Sequence, residues 1–254
     1  MLADEADRGA LLVTGGSRGI GAAISRLAAA HGYAVIVNFV SDERAAGALV
    51  EDIRSRGGRA AAVRADVARE SDVLSLFEQV DRLFGPLSAL VNNAGITGGF
   101  SRVDAVTAGM LERLWAVNVT GTILCAREAV RRLSLKHCGR GGAIVNVSSR
   151  AAELGSPGEW VHYAASKGAV NTFTIGLASE VAGEGIRVNA VAPGLIETDI
   201  HAAAGDPGRL SRLASRIPMG RAGTAEEVGE AVIWLLSCAA SYVTGSILTV
   251  SGGR

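Results

Sequence analysis

The sequence predicts a doubly wound α/β fold, a parallel β-sheet of seven strands covered by helices on both faces. Short runs rich in Val, Ile and Leu alternate with longer segments of helical periodicity along the whole chain, which is the pattern of such folds. The short runs lack strict polar alternation, as expected of strands buried on both faces. The chain has 254 residues and no low-complexity linker, so we expect a single domain over residues 1–254.

Each element follows from its own local pattern. The predicted strands are Ala10–Val13, Ala34–Asn38, Arg59–Arg64, Ala89–Asn92, Ala143–Ser148, Arg187–Val191 and Ile247–Val250. The predicted helices are Gly19–His31, Glu43–Arg56, Glu70–Phe84, Leu111–Leu133, Tyr163–Val181 and Ala225–Leu236. The segment from Pro193 to about Thr224 fits neither pattern. Because long irregular segments in compact domains are often functional, we expect it to border a substrate.

Composition excludes several classes of function. The 25 basic and 25 acidic residues balance, so no concentrated positive field favours nucleic acid or an anionic membrane. No apolar run reaches the roughly 18 residues that a membrane helix needs, and the first ten residues lack the pattern of a signal peptide. Cys125, Cys138 and Cys238 form no metal-binding pattern. We therefore expect a cytoplasmic protein with no bound metal.

A glycine-rich turn, Thr14–Gly21, joins the first strand to the first helix. Glycine at positions 15, 19 and 21 lets the backbone approach a pyrophosphate at the positive end of a helix dipole. Such a turn can also be only a tight connection. Its place in the first strand–helix unit favours binding of a dinucleotide, as in a Rossmann domain.

The end of the second strand indicates which dinucleotide is bound. Proteins that prefer NAD usually place a carboxylate there for the ribose 2′-hydroxyl, whereas this strand ends in Asn38 and Phe39, followed by Ser41. Arg18 within the turn could meet a 2′-phosphate, with Asn38 and Ser41 adding neutral hydrogen bonds. Asp42 is expected to cap the next helix. NADP(H) is favoured over NAD(H), unless Arg18 is merely solvated.

Tyr163 and Lys167 are four residues apart in a predicted helix, so their side chains share one face. A nearby ammonium favours the phenolate and lowers the pKa of a tyrosine from its usual value of about 10. This spacing alone is weak evidence. It gains weight from Ser148 and Ser149 at the end of the fifth strand and from Asn118 within an apolar helix, because a buried Asn needs partners such as an ordered water.

Together these motifs resemble the short-chain dehydrogenase/reductase family over essentially the whole chain. The family's TGxxxGxG appears as Thr14–Gly21, its NNAG as Asn92–Gly95, and its catalytic residues as Asn118, Ser149, Tyr163 and Lys167. The cofactor-binding residues indicated by the turn, the strand ends and this resemblance are Gly15, Ser17, Arg18, Gly19, Ile20, Gly21, Asn38, Phe39, Asp66, Val67, Asn93, Ala94, Gly95, Tyr163, Lys167, Pro193, Gly194, Ile196 and Thr198.

The resemblance implies hydride transfer between a nicotinamide and a carbonyl carbon. Ser149 would hold the carbonyl oxygen, Tyr163 would deliver the proton, Lys167 would bind the ribose and lower the tyrosine pKa, and Asn118 would hold a relay water. The family usually places its serine thirteen residues before the tyrosine, a position that Arg150 occupies here. We therefore assign the role to Ser149, with one extra residue in the loop Ala151–Trp160, and keep Ser148 as the alternative.

The substrate is less well defined than the reaction. The chain is most similar to 3-oxoacyl-(acyl-carrier-protein) reductases and to sugar or alcohol dehydrogenases of the family, and these enzymes are commonly homotetramers. The segments Ala151–Trp160 and Leu195–Ile217 should line the pocket, with apolar surface from Trp160, Ile196, Ile200, His201 and Leu210. His162, next to the tyrosine, could line the pocket or pack in the interior, and packing is favoured. The alternative function is a catalytically silent, dinucleotide-sensing Rossmann protein.

Overall fold

The predicted strands all occur and form one parallel sheet in the computed structural model, which describes residues 8–198 and 208–254. The strands are β1 (Ala10–Val13), β2 (Ala34–Phe39), β3 (Arg59–Arg64), β4 (Leu87–Asn92), β5 (Gly142–Val147), β6 (Ile186–Pro193) and β7 (Ile247–Val250). Their order in the sheet is β3-β2-β1-β4-β5-β6-β7. The predicted fold class, a seven-stranded doubly wound α/β fold, is confirmed.

The order of the strands reverses between β1 and β4. From β1 the chain moves outward to β2 and β3, then returns to pair β4 with the other side of β1, so that Val13 lies between Val37 and Val91. Such a reversal leaves a crevice at the carboxyl ends of the strands, where open α/β sheets bind their ligands.

The helices that cover the sheet are α1 (Gly19–Ala30), α2 (Glu43–Ser55), α3 (Glu70–Phe84), α4 (Ala108–Trp115), α5 (Thr122–Leu133), α6 (Ala151–Leu154), α7 (Val161–Val181), α8 (Arg209–Leu213) and α9 (Ala225–Leu236). Asp42 caps α2 through a 2.9 Å hydrogen bond from the Ala45 amide, as the sequence predicts. None of the helices in the described ranges combines the length and the apolarity that crossing a bilayer requires.

The helix predicted over Leu111–Leu133 is interrupted. It begins three residues earlier, at Ala108, and a π-helical segment over Ala116–Gly121 separates α4 from α5. The Thr122 hydroxyl donates to the Asn118 carbonyl within this region (2.9 Å). Single π-helical turns inside α-helices often mark functional sites, and this one carries Asn118.

Two apolar clusters form the core, one on each face of the sheet. Leu11 and Val13 belong to a cluster with residues of α1, α2 and α9. Leu12, which points to the opposite face, belongs to a second cluster with residues of α3, α5 and α7. Because neighbouring side chains in a strand face opposite ways, burial on both faces explains why the strand sequences lack polar alternation.

The described residues of the irregular segment after Pro193 contact one another across the two ends of that segment. Ile196 forms a β-bridge with Gly223, and a small apolar cluster joins Leu195, Leu213 and Ile217, with Leu210 packed against it. The predicted pocket residues Ile200 and His201 lie outside the described residues.

Candidate active site

A cavity of about 910 Å³ opens at the carboxyl ends of the strands, at the crevice between β1 and β4. The predicted site residues in its wall are Gly15, Ser17, Arg18, Gly19, Ile20, Asn38, Phe39, Asp66, Val67, Asn93, Ala94, Gly95, Ser149, Tyr163, Lys167, Pro193, Gly194, Ile196 and Thr198. Gly21 and Asn118 do not line it. The tertiary structure thus brings nearly all of the predicted residues to one site.

The glycine turn packs tightly against the end of β4. A Cβ atom added to Gly21 would lie 2.4 Å from the carbonyl oxygen of Gly15, and one added to Gly15 would lie 3.0 Å from Cα of Ala94. Asn93 fixes this arrangement, because its side-chain nitrogen Nδ2 donates to the carbonyl oxygens of Thr14 and Gly15, both at 2.9 Å. Gly21 therefore acts behind the cavity wall, by letting the turn close.

The amino end of α1 faces the cavity and is suited to an anion. Arg18 stands at the N-cap without a side-chain cap bond, and the first turn contains no acidic residue. The first amide groups of a helix lack partners within the helix and carry the positive end of its dipole. With Gly15 and Gly19 at φ of +59° and +52°, the backbone can wrap closely around a pyrophosphate.

Asn38 has a different environment from the one that the sequence suggests. Its Oδ1 accepts a hydrogen bond from the Gly15 amide (3.2 Å), while its Nδ2 donates to the carbonyl oxygens of Ala65 (3.0 Å) and Val63 (3.3 Å). The side chain is buried and holds the glycine turn to the ends of β2 and β3. Arg18 and Ser41 are exposed beside it.

Asp66 is joined at the cavity by a residue that sequence reasoning missed. Its Oδ1 accepts from the Ala68 amide (3.0 Å), and its Oδ2 accepts from the Arg113 guanidinium (3.0 Å). Arg113 lies on α4 and also lines the cavity. No local motif marks it, because the pair is 47 residues apart in sequence and depends on how α4 packs beside the sheet.

The two serines after β5 point in different directions. The Ser149 hydroxyl lies near enough to the phenol of Tyr163 to lower the pKa of that phenol, and it accepts from the Ala151 amide (3.1 Å). The Ser148 hydroxyl is buried against α7, 2.5 Å from Oδ1 of Asn171 and 3.3 Å from the Lys167 carbonyl oxygen. The structure brings Ser149, and not Ser148, to Tyr163.

The loop after Ser149, in which the resemblance implies one extra residue, begins with a short helix and leaves Ser149 beside Tyr163. The loop contains α6, followed by Gly155 and Ser156 at positive φ angles of +72° and +46°. Arg150, at the position where the family usually has its serine, directs its Nε to the Arg254 carbonyl oxygen (2.7 Å).

The charge state of Tyr163 is governed first by burial. Burial raises the pKa of the phenol, and the nearby Ser149 hydroxyl opposes that effect. Lys167 is also buried, which lowers the pKa of its ammonium to about 8. Its Nζ donates to the Val147 carbonyl oxygen (2.7 Å) and lies 5.8 Å from the centre of the Tyr163 ring. The sequence-based expectation that Lys167 lowers the tyrosine pKa is not met in this structure, because burial raises that pKa and the opposing effect comes from Ser149.

Asn118 binds protein groups on both sides. Its Oδ1 accepts from the Ile96 amide, and its Nδ2 donates to the Ile96 carbonyl oxygen (both 2.9 Å) and to Oγ of Ser166 (3.0 Å). A Cβ atom at Gly95 would lie 3.4 Å from Nζ of Lys167 and 3.5 Å from Oδ1 of Asn118. Both side chains thus border the same small space beside Gly95.

The segment after β6 completes the wall. Gly194 packs on Ser251, so that an added Cβ would lie 2.8 Å from Cβ of that residue. Thr198 faces the glycine turn, with its Cγ2 3.4 Å from the position of a Cβ on Gly19. Of the other predicted pocket residues, Trp160 and Ile196 line the cavity. Within the described parts of the chain, no cluster of three His, Cys, Asp or Glu residues could hold a metal ion.

Comparisons with known proteins support the family resemblance that the sequence motifs indicate. A family model described as "Enoyl-(Acyl carrier protein) reductase" matches residues 15–254. An uncharacterized oxidoreductase of Escherichia coli (strain K12) is 54% identical over 96% of this chain and 98% of its own. The 3beta-hydroxysteroid dehydrogenase 1 of Eggerthella lenta is 41% identical over 96% of this chain and 92% of its own.

Solved structures agree with these relatives. A short-chain dehydrogenase from Burkholderia cenocepacia J2315, solved in complex with NADP, superimposes with a TM-score of 0.90 and 34% identity, covering 98% of this chain and 99% of the other. Fold, motifs and relatives converge, and the chain belongs to the short-chain dehydrogenase/reductase family of oxidoreductases.

Proposed function

We propose that this protein is an NADP(H)-dependent oxidoreductase that interconverts a carbonyl and a secondary alcohol, with Tyr163 as its acid/base. The observation that carries the proposal is the layout of the cavity. The same cavity is lined by the Ser149–Tyr163 pair, by buried Lys167 and by the glycine turn at the amino end of α1.

The residues at the turn fit a dinucleotide. The closely packed glycines and the α1 amino end can receive the pyrophosphate, Asp66 and Val67 can border the adenine, and Pro193–Thr198 can border the nicotinamide. When bound, NADP(H) supplies or accepts the hydride.

The side chains at the other end of the cavity handle the substrate oxygen and its proton. Ser149 donates a hydrogen bond to the carbonyl oxygen and polarises it. Tyr163 gives its hydroxyl proton to that oxygen during reduction and takes a proton from the alcohol during oxidation. Burial raises the pKa of Tyr163, which keeps the phenol protonated and ready to donate at neutral pH.

Lys167 and Asn118 help to return a proton to Tyr163 after it has donated one. The Lys167 ammonium can bind the ribose hydroxyls of the cofactor and favours the phenolate that Tyr163 becomes after donating. A water in the space beside Gly95, between Lys167 and Asn118, would connect the Lys167 ammonium to solvent. Asn118 also holds Ile96 and Ser166 in place.

Replacement of Tyr163 by Phe tests the catalytic assignment. The variant should lose at least 99% of carbonyl-dependent NADPH oxidation, by the roughly hundredfold or larger effect of an acid/base group, while NADPH binding persists in a fluorescence titration. Tyr242→Phe is the matched control, because Tyr242 is fully exposed. Near wild-type turnover in Tyr163→Phe would overturn the assignment. NADPH binding without turnover on a broad ketone panel would instead favour a silent dinucleotide sensor.

The preference for NADP(H) depends on Arg18. It is exposed at the cavity near the end of β2, where the carboxylate of Asp42, which also lines the cavity, accepts a hydrogen bond from the Ala45 amide as the cap of α2. Arg18→Ala should weaken NADPH binding about tenfold and leave NADH binding unchanged, since loss of one charged hydrogen bond costs about 1.4 kcal/mol or more. Arg44→Ala, which alters an exposed arginine outside the cavity, is the control. Equal effects on both cofactors would exclude this role.

The segment around 193–224 and the loop Ala151–Trp160 are proposed to select the substrate. Leu154, Pro157, Trp160, Leu195 and Leu213 give their part of the cavity an apolar wall. This surface suits a ketone or secondary alcohol with an apolar body. A screen of steroid, sugar and acyl ketones against NADPH oxidation would identify the class.

We further propose a cytoplasmic homotetramer of single-domain subunits. Large apolar side chains remain exposed on α4, α5 and α7, namely Leu111, Trp115, Ile123 and Ile175, and such patches favour association. Light scattering after size exclusion should give four times the 26.0 kDa of one chain, whereas a monomer would exclude this assembly.

A further inference from the structure

A chain of three aromatic rings connects the β4–α4 loop with Tyr163. The rings of Phe100 and Trp160 stack with centroids 4.6 Å apart and planes at 26°. Trp160 in turn meets Tyr163 edge to face, at 6.1 Å and 70°. Both separations lie in the range of attractive aromatic pairs.

The backbone holds the two loops of this aromatic chain together. The Ser101 amide donates to the Glu159 carbonyl oxygen at 3.0 Å. Gly98 and Gly99 turn the chain with φ of +77° and +86°. A Cβ atom at Gly98 would lie 3.2 Å from Nε2 of buried His162. The β4–α4 loop therefore contacts Glu159, Trp160 and His162, which come just before Tyr163 in the sequence.

Tyr163 needs such support because of its place in α7. The helix begins at Val161, so Tyr163 lies in its first turn, and Trp160 at the N-cap makes no side-chain cap bond. First turns fray more readily than helix interiors. Trp160 is only 5% exposed and Phe100 is 38% exposed, which makes Phe100 the outer cover of the stack.

We propose that Phe100 and Trp160 are positioning residues, which hold the Tyr163 ring where its hydroxyl meets Ser149. The β4–α4 loop thereby sets the orientation of the proton donor from outside the helix that carries it. Only the kinetic consequence of this inference rests on the proposed function. The orientation of the ring can be measured directly.

The first test is spectroscopic and needs no turnover. The chain has three tyrosines, so ring-labelled tyrosine gives a simple NMR spectrum in which Tyr163→Phe assigns one signal. In Phe100→Ala that signal should shift and broaden, because the ring current of Trp160 changes, while the Tyr33 signal stays in place. An unmoved Tyr163 signal would overturn the proposal.

Two further variants separate ring stacking from burial. Phe100→Tyr keeps the ring and should leave the Tyr163 signal at its wild-type position, with one additional signal from position 100, since this partly exposed site can place a hydroxyl in water. Phe100→Leu keeps an apolar side chain without a flat ring and should behave like Phe100→Ala. A wild-type signal in Phe100→Leu would contradict the role of the stack. Val103→Ala is the matched control, because Val103 is exposed in the same loop outside the cavity.

Kinetics give the second readout. Phe100→Ala should lower kcat for carbonyl reduction about tenfold with the KM for NADPH unchanged, since small misplacements of a reacting group cost up to about a hundredfold. Unchanged kcat in an active enzyme would overturn the positioning role. If the wild-type protein reduces no carbonyl compound at all, the proposed function fails, and the NMR signal still decides whether the stack orients Tyr163.

Discussion

Ser148→Ala should mainly lower the stability of the fold, whereas Ser149→Ala should mainly lower the rate of the reaction. Ser148 is buried, and its hydroxyl lies within hydrogen-bond distance of Asn171 and of the Lys167 carbonyl oxygen. Ser148→Ala leaves these acceptors without that donor, which costs about 1–2 kcal/mol in the free energy of unfolding. For a chain of this length, that corresponds to a fall of roughly 2–8 °C in Tm.

Ser149→Ala should have the opposite profile. It removes a donor aimed at the substrate oxygen, which lowers kcat about 100- to 1000-fold in comparable sites. The stability lost is only that of a turn bond to the Ala151 amide, about 0.5–1 kcal/mol.

Calorimetry and NADPH oxidation on the two purified variants check both statements. If Ser148→Ala abolished turnover while Ser149→Ala kept it, the assignment of Ser149 would be wrong. Equal losses of activity at unchanged stability would show that the two side chains act together, contrary to their opposite orientations.

The pH dependence of the reaction should reflect the raised pKa of Tyr163. Carbonyl reduction needs the protonated phenol, so its rate should be level near neutral pH and fall in alkaline solution, while alcohol oxidation rises. Because the pKa of Lys167 is lowered to about 8, its amine is neutral in the alkaline range where the phenol titrates, so Lys167→Met should leave the pH of this fall unchanged; a shift in either direction would refute the reasoning. Gly21→Ala should prevent NADPH from raising Tm, because its Cβ would lie 2.4 Å from the Gly15 carbonyl oxygen. Gly47→Ala, in open space on α2, should stabilise the protein by up to about 1 kcal/mol, and a similar gain in Gly21→Ala would show that the turn is not tightly closed.

Local patterns predicted the elements of the fold closely. The bounds of β1, β3, α3 and α9 agree with the sequence-based expectation, because hydrophobic periodicity is a property of neighbouring residues. The interruption of the helix around Asn118 was not predicted, since an apolar pattern continues through Ala116–Gly121. The π-helical segment is stabilised by contacts with distant residues, such as the hydrogen bonds between Asn118 and Ile96.

The site shows the same division. Motif spacing was enough to name Gly15, Tyr163 and Lys167, which line one cavity. It could not show that Asn38 turns inward to hold Gly15, nor that burial raises the pKa of Tyr163. Hydrogen-bond direction and desolvation depend on every group packed around a side chain, so no single motif contains them.

The sequence by itself thus determined the alternating elements, the glycine turn, the family motifs and the type of reaction that they imply. Only the tertiary structure chose between Ser148 and Ser149, paired Arg113 with Asp66, and stacked Phe100 on Trp160 beside Tyr163. The physical reason is the range of the interactions. Helical and strand periodicity arise within a few residues, whereas these contacts join groups that come close only after the strands have assembled into one sheet.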